Sequence, residues 1–344
     1  MKAFSTGKFP SVKPRSIRLS PDALVTLSHE TEAQFPLVVR SNMESVNPVS
    51  WLAANVPLVE EQLRKCGAIL LRGFHADSIE KFEQCVRTVS PDLIEYGERS
   101  SPRTKICGGV YTSTDHPPDQ HILLHNEQSY TLNWPMKIWF FCVQEADRGG
   151  HTPIADSRKI LGRLSPATVE RFTRKQVMYV RNYGDGLGLP WQEAFQTNSK
   201  TVVEEHCRRA NIEVEWKEHQ RLRTWQVRPA IRRHPQTHEA VWFNHAFFFH
   251  LSSLEETARE TILSVVKEED VPFNTFYGDG SAIEPSVLED IGEAYEQESV
   301  SFAWQKMDIL LLDNMLVAHG RQPYTGPRKI VVAMSEPFAL HVAG

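Results

Sequence analysis

His121-Ile122-Leu123-Leu124-His125-Asn126-Glu127-Gln128-Ser129-Tyr130 is the stretch on which the reading of this chain turns. An apolar run meets a polar turn, and at the junction a histidine and a carboxylate stand two residues apart. Side chains on an extended segment repeat with period 2, so His125 and Glu127 point to one face and can share a metal ion. A distant second histidine would complete a set of two imidazoles and one carboxylate, which suits non-haem iron(II) and leaves three positions open for cosubstrate and oxygen. His319, 194 residues downstream, is the candidate. It lies in DILLLDNMLVAHGRQPYTGPRKIVVAM (308–334), where a buried-strand pattern leads into a turn and then a second apolar strand. Its imidazole is expected to project from a strand end.

The pair His125 and Glu127 alone is weak, because surface His-Glu neighbours arise by chance and need no role. Its weight comes from the residues around it. Arg328, nine residues after His319, opens the next apolar strand. A guanidinium one strand from a metal can hold the far carboxylate of a dicarboxylate cosubstrate in a two-point fork, a task for which lysine is less suited. Thr152 can donate its hydroxyl to the same molecule.

Composition narrows the class. The chain has 344 residues, 41% hydrophobic and 24% charged, enough to bury a large core. A net charge of −5 gives no electrostatic reason to expect nucleic acid as a partner. No apolar run approaches the roughly 18 residues of a membrane span, and the first 20 residues lack the apolar stretch of a signal peptide. A cytoplasmic location is therefore expected, with no membrane association. The five cysteines (Cys66, Cys85, Cys107, Cys142, Cys207) are odd in number and form no CxxC pair, which argues against disulfides and a thiolate metal site.

Along the chain, residues 1–45 read as an N-terminal arm. Helical spacing follows at 47–65, a glycine-bounded strand at 66–74 and a second helix at 78–89. A long polar loop is expected over 94–120 and a strand at 137–143. Helices are expected at 164–175, 200–210, 254–267 and 285–297, and strands at 223–227 and 240–249. This pattern predicts an all-β core with α decoration: a double-stranded β-helix, or cupin-like jelly roll, with helical insertions. One domain over 1–344 is expected, with 157–235 as an insertion or lid.

Several motifs, HNEQSY, GGHTPIADSR, GLGLPWQEAFQT, LRTWQVRPA, YGDG and LLDNMLVAHGRQPYTGPRK, give the chain a family resemblance from about Gly67 onward. It resembles the taurine dioxygenase and clavaminate synthase group of iron(II)- and 2-oxoglutarate-dependent oxygenases, and within it the syringomycin-type amino-acid β-hydroxylases of nonribosomal peptide pathways. The resemblance implies iron ligands at His125, Glu127 and His319, a clamp for the distal 2-oxoglutarate carboxylate at Arg328 and a further cosubstrate contact at Thr152. It also implies O2 as oxidant, with ascorbate as a supporting reductant. Glutamate replaces the commoner aspartate at 127, as in clavaminate synthase, and Val332 stands where many members carry a second arginine. A carboxylate at 127 points to hydroxylation, since the related halogenases have a small residue there.

The expected substrate is an amino acid or an aminoacyl group carried by a peptidyl carrier protein, in antibiotic-type specialised metabolism. A free amino acid or small acid, hydroxylated, desaturated or cyclised, is the alternative, and a non-catalytic jelly-roll binding protein is the rival from another class. Arg321 and Asn244 are candidate substrate contacts. Each has a plain reading too, Arg321 as a surface ion pair and the run Trp242–His250 as barrel wall. His121, His151, His245 and His250 flank the motifs and suggest no second metal site. The segment 208–233 carries eight basic residues against three acidic ones, either a solvated face or a dock for an acidic carrier domain.

Overall fold

The run Ile309-Leu310-Leu311-Leu312 explains the layering of the molecule. Apolar at every position, it must be buried on both faces of a sheet. In the computed structural model, which describes residues 24–29, 35–94, 104–113, 116–184 and 188–340, this is what occurs. Ile309 and Leu311 enter one core with Trp139, Phe141 and Val331, under the helices Pro48–Cys66 and Ile79–Val89. Leu310 and Leu312 enter a second core on the other face, with Ile138, Phe140, Ile330 and Val332.

The strand Ile309–Asp313 is central in an eight-stranded sheet. It pairs antiparallel with Ala68–Arg72 on one side and Asn133–Gln144 on the other. Beyond Asn133–Gln144 comes Lys329–Ala339, then the short pair Val110–Thr112 and Lys105–Cys107. Val25–His29 and Leu37–Ser41 close the opposite edge, Leu37–Ser41 running parallel to Ala68–Arg72. Facing this sheet across the second core is a three-stranded one: Ile122–His125, Val317–Arg321 and Ile154–Asp156. Val317 and Ile154 meet Phe140 and Leu310 there. Two facing sheets with helices outside are the jelly-roll architecture that the pattern of elements predicts.

Local chemistry sets the helix ends. Asn47 accepts hydrogen bonds from the amides of Val49 and Ser50, and Pro48 takes the first helical position. The helix stops at Gly67, whose φ of +75° and closeness to Val317 exclude a side chain, since an added Cβ would lie 2.6 Å from Val317 Cγ2. Ser78 and Ser165 cap the helices that follow them in the same way.

Residues 157–235 build much of a separate four-stranded sheet, Glu213–Trp216, Leu222–Arg228, Val177–Tyr183 and Phe273–Tyr277. Its fourth strand comes from beyond the expected insertion, so that segment is not self-contained.

Three expectations change. The loop over 94–120 contains the hairpin Lys105–Cys107 and Val110–Thr112, hidden in the sequence because each strand is only three residues long. The arm over 1–45 supplies two strands of the major sheet, while 1–23 and 30–34 lie outside the described residues. The strand expected at 240–249 ends at Trp242, because the Asn244 side chain takes the Ala246 amide and holds Ala230 O, replacing ladder bonds with a turn.

A buried ion pair ties the end of the interior strand Ala68–Arg72 to the loop before Ile309. Arg72 donates to Asp308 through Nη2, at 2.6 Å, with both side chains almost fully buried. Arg72→Met leaves the Asp308 charge in the core without its guanidinium and is expected to lower unfolding free energy by about 3–5 kcal/mol in urea titration. A loss under about 1 kcal/mol, the range of exposed pairs, would contradict this.

Candidate active site

The three-stranded sheet brings the distant histidines together. His319 pairs across its strand with His125, so 194 residues of sequence separation become one rung of a ladder. Val317, His319 and Arg321 share the face turned toward the major sheet, and Ala318 packs into the core behind. His319 thus sits in mid-strand rather than at the strand end expected from the sequence. Glu127 lies just past the end of its own strand, in a turn where Gln128 has φ of +55°.

One ligand atom from each of His125, Glu127 and His319 can be chosen so that all lie within 4.8 Å of one another, and Glu127 and His319 are buried. The His125 and His319 ring centroids are 4.6 Å apart. His125 Nδ1 is 2.8 Å from Leu123 O, which fixes Nδ1 as the donor and leaves Nε2 as the nitrogen able to bind a metal. Two imidazoles and a carboxylate without a thiolate are the donor set for iron(II), so the residues fit that ion.

Asn314 holds this arrangement. Its Oδ1 accepts the Glu127 amide at 2.8 Å, and its Nδ2 donates to Glu127 O and Pro135 O, both at 2.9 Å. Asn126 in turn donates to Asn314 O. Neighbouring Asp313 caps the turn, its Oδ1 accepting from Met315 and Leu316, while Oδ2 meets the buried His234 at 3.0 Å. Asn314→Ala is expected to weaken metal affinity about 10–100-fold, the usual effect of losing a partner that orients a ligand. Competition with a fluorescent chelator reads this directly, and an unchanged affinity would show that the turn holds Glu127 without the clamp.

Beside His319 a narrow recess opens between the sheets, lined by Phe140, Thr152, Arg321, Arg328, Ile330 and Val332 among others. Among the described residues Arg328 makes its hydrogen bond through Nε, to Gly150 O at 2.9 Å. Burial, and then the nearby Arg321 charge, bring its guanidinium down to about 10, still fully protonated at neutral pH. Among the described residues neither arginine has a carboxylate partner within ion-pair distance. Both lie over the Tyr324 ring, at 5.3 and 5.4 Å. Two cations, Arg321 buried and Arg328 half-buried, with no carboxylate within ion-pair distance among the described residues, form a ready receptor for a carboxylate. The Thr152 oxygen accepts from Trp304 Nε1 at 3.0 Å, so its own proton is available to donate into the recess.

On the other side of His125 and Glu127 a cavity of about 660 Å³ leads outward. That is ample for a small organic group. Its walls include the loop 116–121, the turn 245–251 and the helix Glu256–Val265, which has no fully buried residue. Phe248 stacks on His125 at 4.5 Å. His245 also lines the cavity, 5.7 Å from His125, and neither ring nitrogen has a hydrogen-bond partner among the described residues. Burial and the adjacent His125 hold it well below the usual imidazole range, hence neutral.

The barrel-wall reading of Trp242–His250 therefore fails at its second half, where His245, Phe248, Phe249 and His250 face the cavity. Asn244 is absent from the lining, its amide spent on the turn. Arg321 is neither a surface pair nor part of the wide cavity; its guanidinium is buried and bound to backbone carbonyls. The basic stretch 208–233 does not form one patch. Arg208 and Arg209 both grip Glu205, Lys217 pairs with Asp270, and Arg228 is buried against Ala210 O and Gln226. Part of the motif GLGLPWQEAFQT, Gly186 and Leu187, lies outside the described residues. Trp304, Tyr324 and the 116–121 loop carry no pattern that marks them in the sequence. The one available signal is Tyr324 standing between two arginines.

Comparisons with known proteins agree with this geometry. A family model described as "Taurine catabolism dioxygenase TauD, TfdA family" matches residues 32–334. The chain is 39% identical over 279 residues to the dapdiamide synthesis protein DdaC of Enterobacter agglomerans, covering 81% of this chain and 85% of that one. It is 29% identical over 327 residues to a clavaminate synthase-like protein of Arabidopsis thaliana, covering 89% and 95%. Among solved structures, PvcB of Pseudomonas aeruginosa superimposes with a TM-score of 0.54 at 15% identity, covering 94% and 95%. No helix among the described residues is long and apolar enough to cross a membrane.

Proposed function

Because the chain belongs to the TauD, TfdA dioxygenase family, we propose that it hydroxylates an aminoacyl group whose carboxyl is masked, presented as a thioester or a similar derivative. It is an iron(II)- and 2-oxoglutarate-dependent dioxygenase that consumes O2. In this reading His125, Glu127 and His319 hold the iron, Arg328 holds the distal carboxylate of 2-oxoglutarate, and Thr152 donates to the same cosubstrate. The bound iron, with its cosubstrate and O2, supplies the oxidation of a C–H bond, chemistry that no side chain provides. The protein supplies orientation, through Asn314 and the rung joining His125 to His319, and exclusion of water, through the apolar walls at Phe140, Phe248 and Phe249.

The observation that carries the substrate reading is an asymmetry of charge. Both unpaired guanidinia lie on the recess side of His319. The wide cavity has no lysine or arginine among its described lining residues; its charged groups are Asp119, Glu127 and Glu255. The carboxylate of a free amino acid would meet no counter-charge there, and acidic groups would repel it. An esterified or thioesterified carboxyl avoids that penalty, and its free amine suits the acidic rim. The resemblance to carrier-dependent hydroxylases and the role of the relative DdaC in dapdiamide synthesis support the same reading. The test is mass spectrometry of free amino acids and their pantetheine thioesters after incubation with enzyme, iron(II) and 2-oxoglutarate. A gain of one oxygen mainly on thioesters is expected. Equal turnover of both forms would favour a free amino acid as substrate.

A further inference from the structure

The recess and the wide cavity share Ile122 and His125 in their walls, and a further side chain ties the rest of one to the rest of the other. Arg321 lines the recess beside Arg328, while its guanidinium donates to His116 O at 3.0 Å, Pro117 O at 2.5 Å and Gln120 O at 2.9 Å. His116, Asp119, Gln120 and His121 form a wall of the wide cavity. The Tyr324 amide adds a bond to Pro118 O at 2.8 Å, and its ring is shared by both arginines. The loop 116–121 is thus attached to the His319 strand chiefly through a buried cation bound to neutral carbonyls. Arg321 Nε has no hydrogen-bond partner among the described residues.

The electrostatics of this arrangement depend on what fills the recess. With the recess empty of anion, Arg321 and Arg328 repel each other in a poorly solvated space, and the repulsion works against the position in which Arg321 grips the loop. A carboxylate between them turns that repulsion into attraction and favours the same position. We propose that Arg321 is a positioning residue through which 2-oxoglutarate, once in the recess, firms the 116–121 wall of the substrate cavity, so that cosubstrate binding prepares the site for substrate. This rests on the placement of 2-oxoglutarate against Arg328 proposed above. Linkage makes the effect reciprocal: a substrate resting on the firm wall also tightens 2-oxoglutarate.

Hydrogen–deuterium exchange tests this without knowledge of the substrate. The protein is loaded with Zn(II), which cannot turn over, and exchange of the 116–123 amides is followed with and without saturating 2-oxoglutarate. The wild-type segment is expected to slow roughly five- to tenfold, the low end of couplings between sites. Arg321→Gln is expected to bind Zn(II) as wild type does and 2-oxoglutarate more weakly by calorimetry, and at concentrations that still saturate it the segment loses its response; a purely structural role would speed exchange equally in both states. An unresponsive wild-type segment overturns the proposal even if the variant fails to fold, as does a variant that responds like wild type. The two readings fail differently. If Arg328→Gln leaves 2-oxoglutarate affinity unchanged, the cosubstrate placement is wrong; if it weakens binding while the wild-type loop stays silent, only the coupling is.

Discussion

His319→Ala is expected to abolish iron binding and 2-oxoglutarate consumption while leaving the fold in place. The imidazole is one of only three donors in the cluster, and the other two come from a single distant stretch. Removing it leaves two ligands from 125–127, too few to define a facial site. The loss should exceed the about 10–100-fold that removal of a supporting partner costs. The fold should survive because the strand Val317–Arg321 is held by backbone pairing on both sides and by Val317 and Ala318 in two cores. Anaerobic titration with iron(II) and 2-oxoglutarate provides the readout, since the weak visible charge-transfer band appears only when both bind one centre. A variant that consumes 2-oxoglutarate at the wild-type rate would remove His319 from the metal site.

Arg328→Lys is expected to raise the 2-oxoglutarate requirement steeply. The guanidinium is anchored through Nε to Gly150 O, which leaves its two terminal nitrogens to meet a carboxylate as a planar pair. Lysine keeps the charge but cannot both hold the Gly150 carbonyl and present a fork. Disrupting a buried charge-assisted pair costs roughly 2–5 kcal/mol. At about 1.4 kcal/mol per tenfold, that is about 1.5 to 3.5 decades in affinity. Initial rates against 2-oxoglutarate concentration measure it. An unchanged requirement would move the clamp to Arg321, the other guanidinium of the recess.

These two residues also show how much of the site is legible in the sequence. Each belongs to a local pattern: His319 and Arg328 flank a turn between apolar runs, and His125 and Glu127 stand two apart at the end of another. Strand periodicity and donor chemistry are properties of short segments, so the sequence alone determined the metal-competent set, the four central strands of the major sheet and most helices. The alternation of Ile309 to Leu312 between two cores is likewise implicit in an unbroken apolar run.

Whatever depends on contacts between distant segments was decided only by the tertiary structure. The turn that ends the strand at Trp242 needs Ala230 O, supplied from 14 residues away. The charge of 208–233, which reads as a patch in one dimension, disperses because Glu205 and Asp270 meet it from outside the segment and Arg228 turns inward. Arg321 reads in one dimension as a substrate contact or a surface ion pair, and only folding sets the carbonyls of 116–120 around it. Backbone preference and side-chain period act over a few residues and leave their mark on the sequence. Burial and the choice of hydrogen-bond partner are set by which segments pack together, and they exist only once the chain has closed.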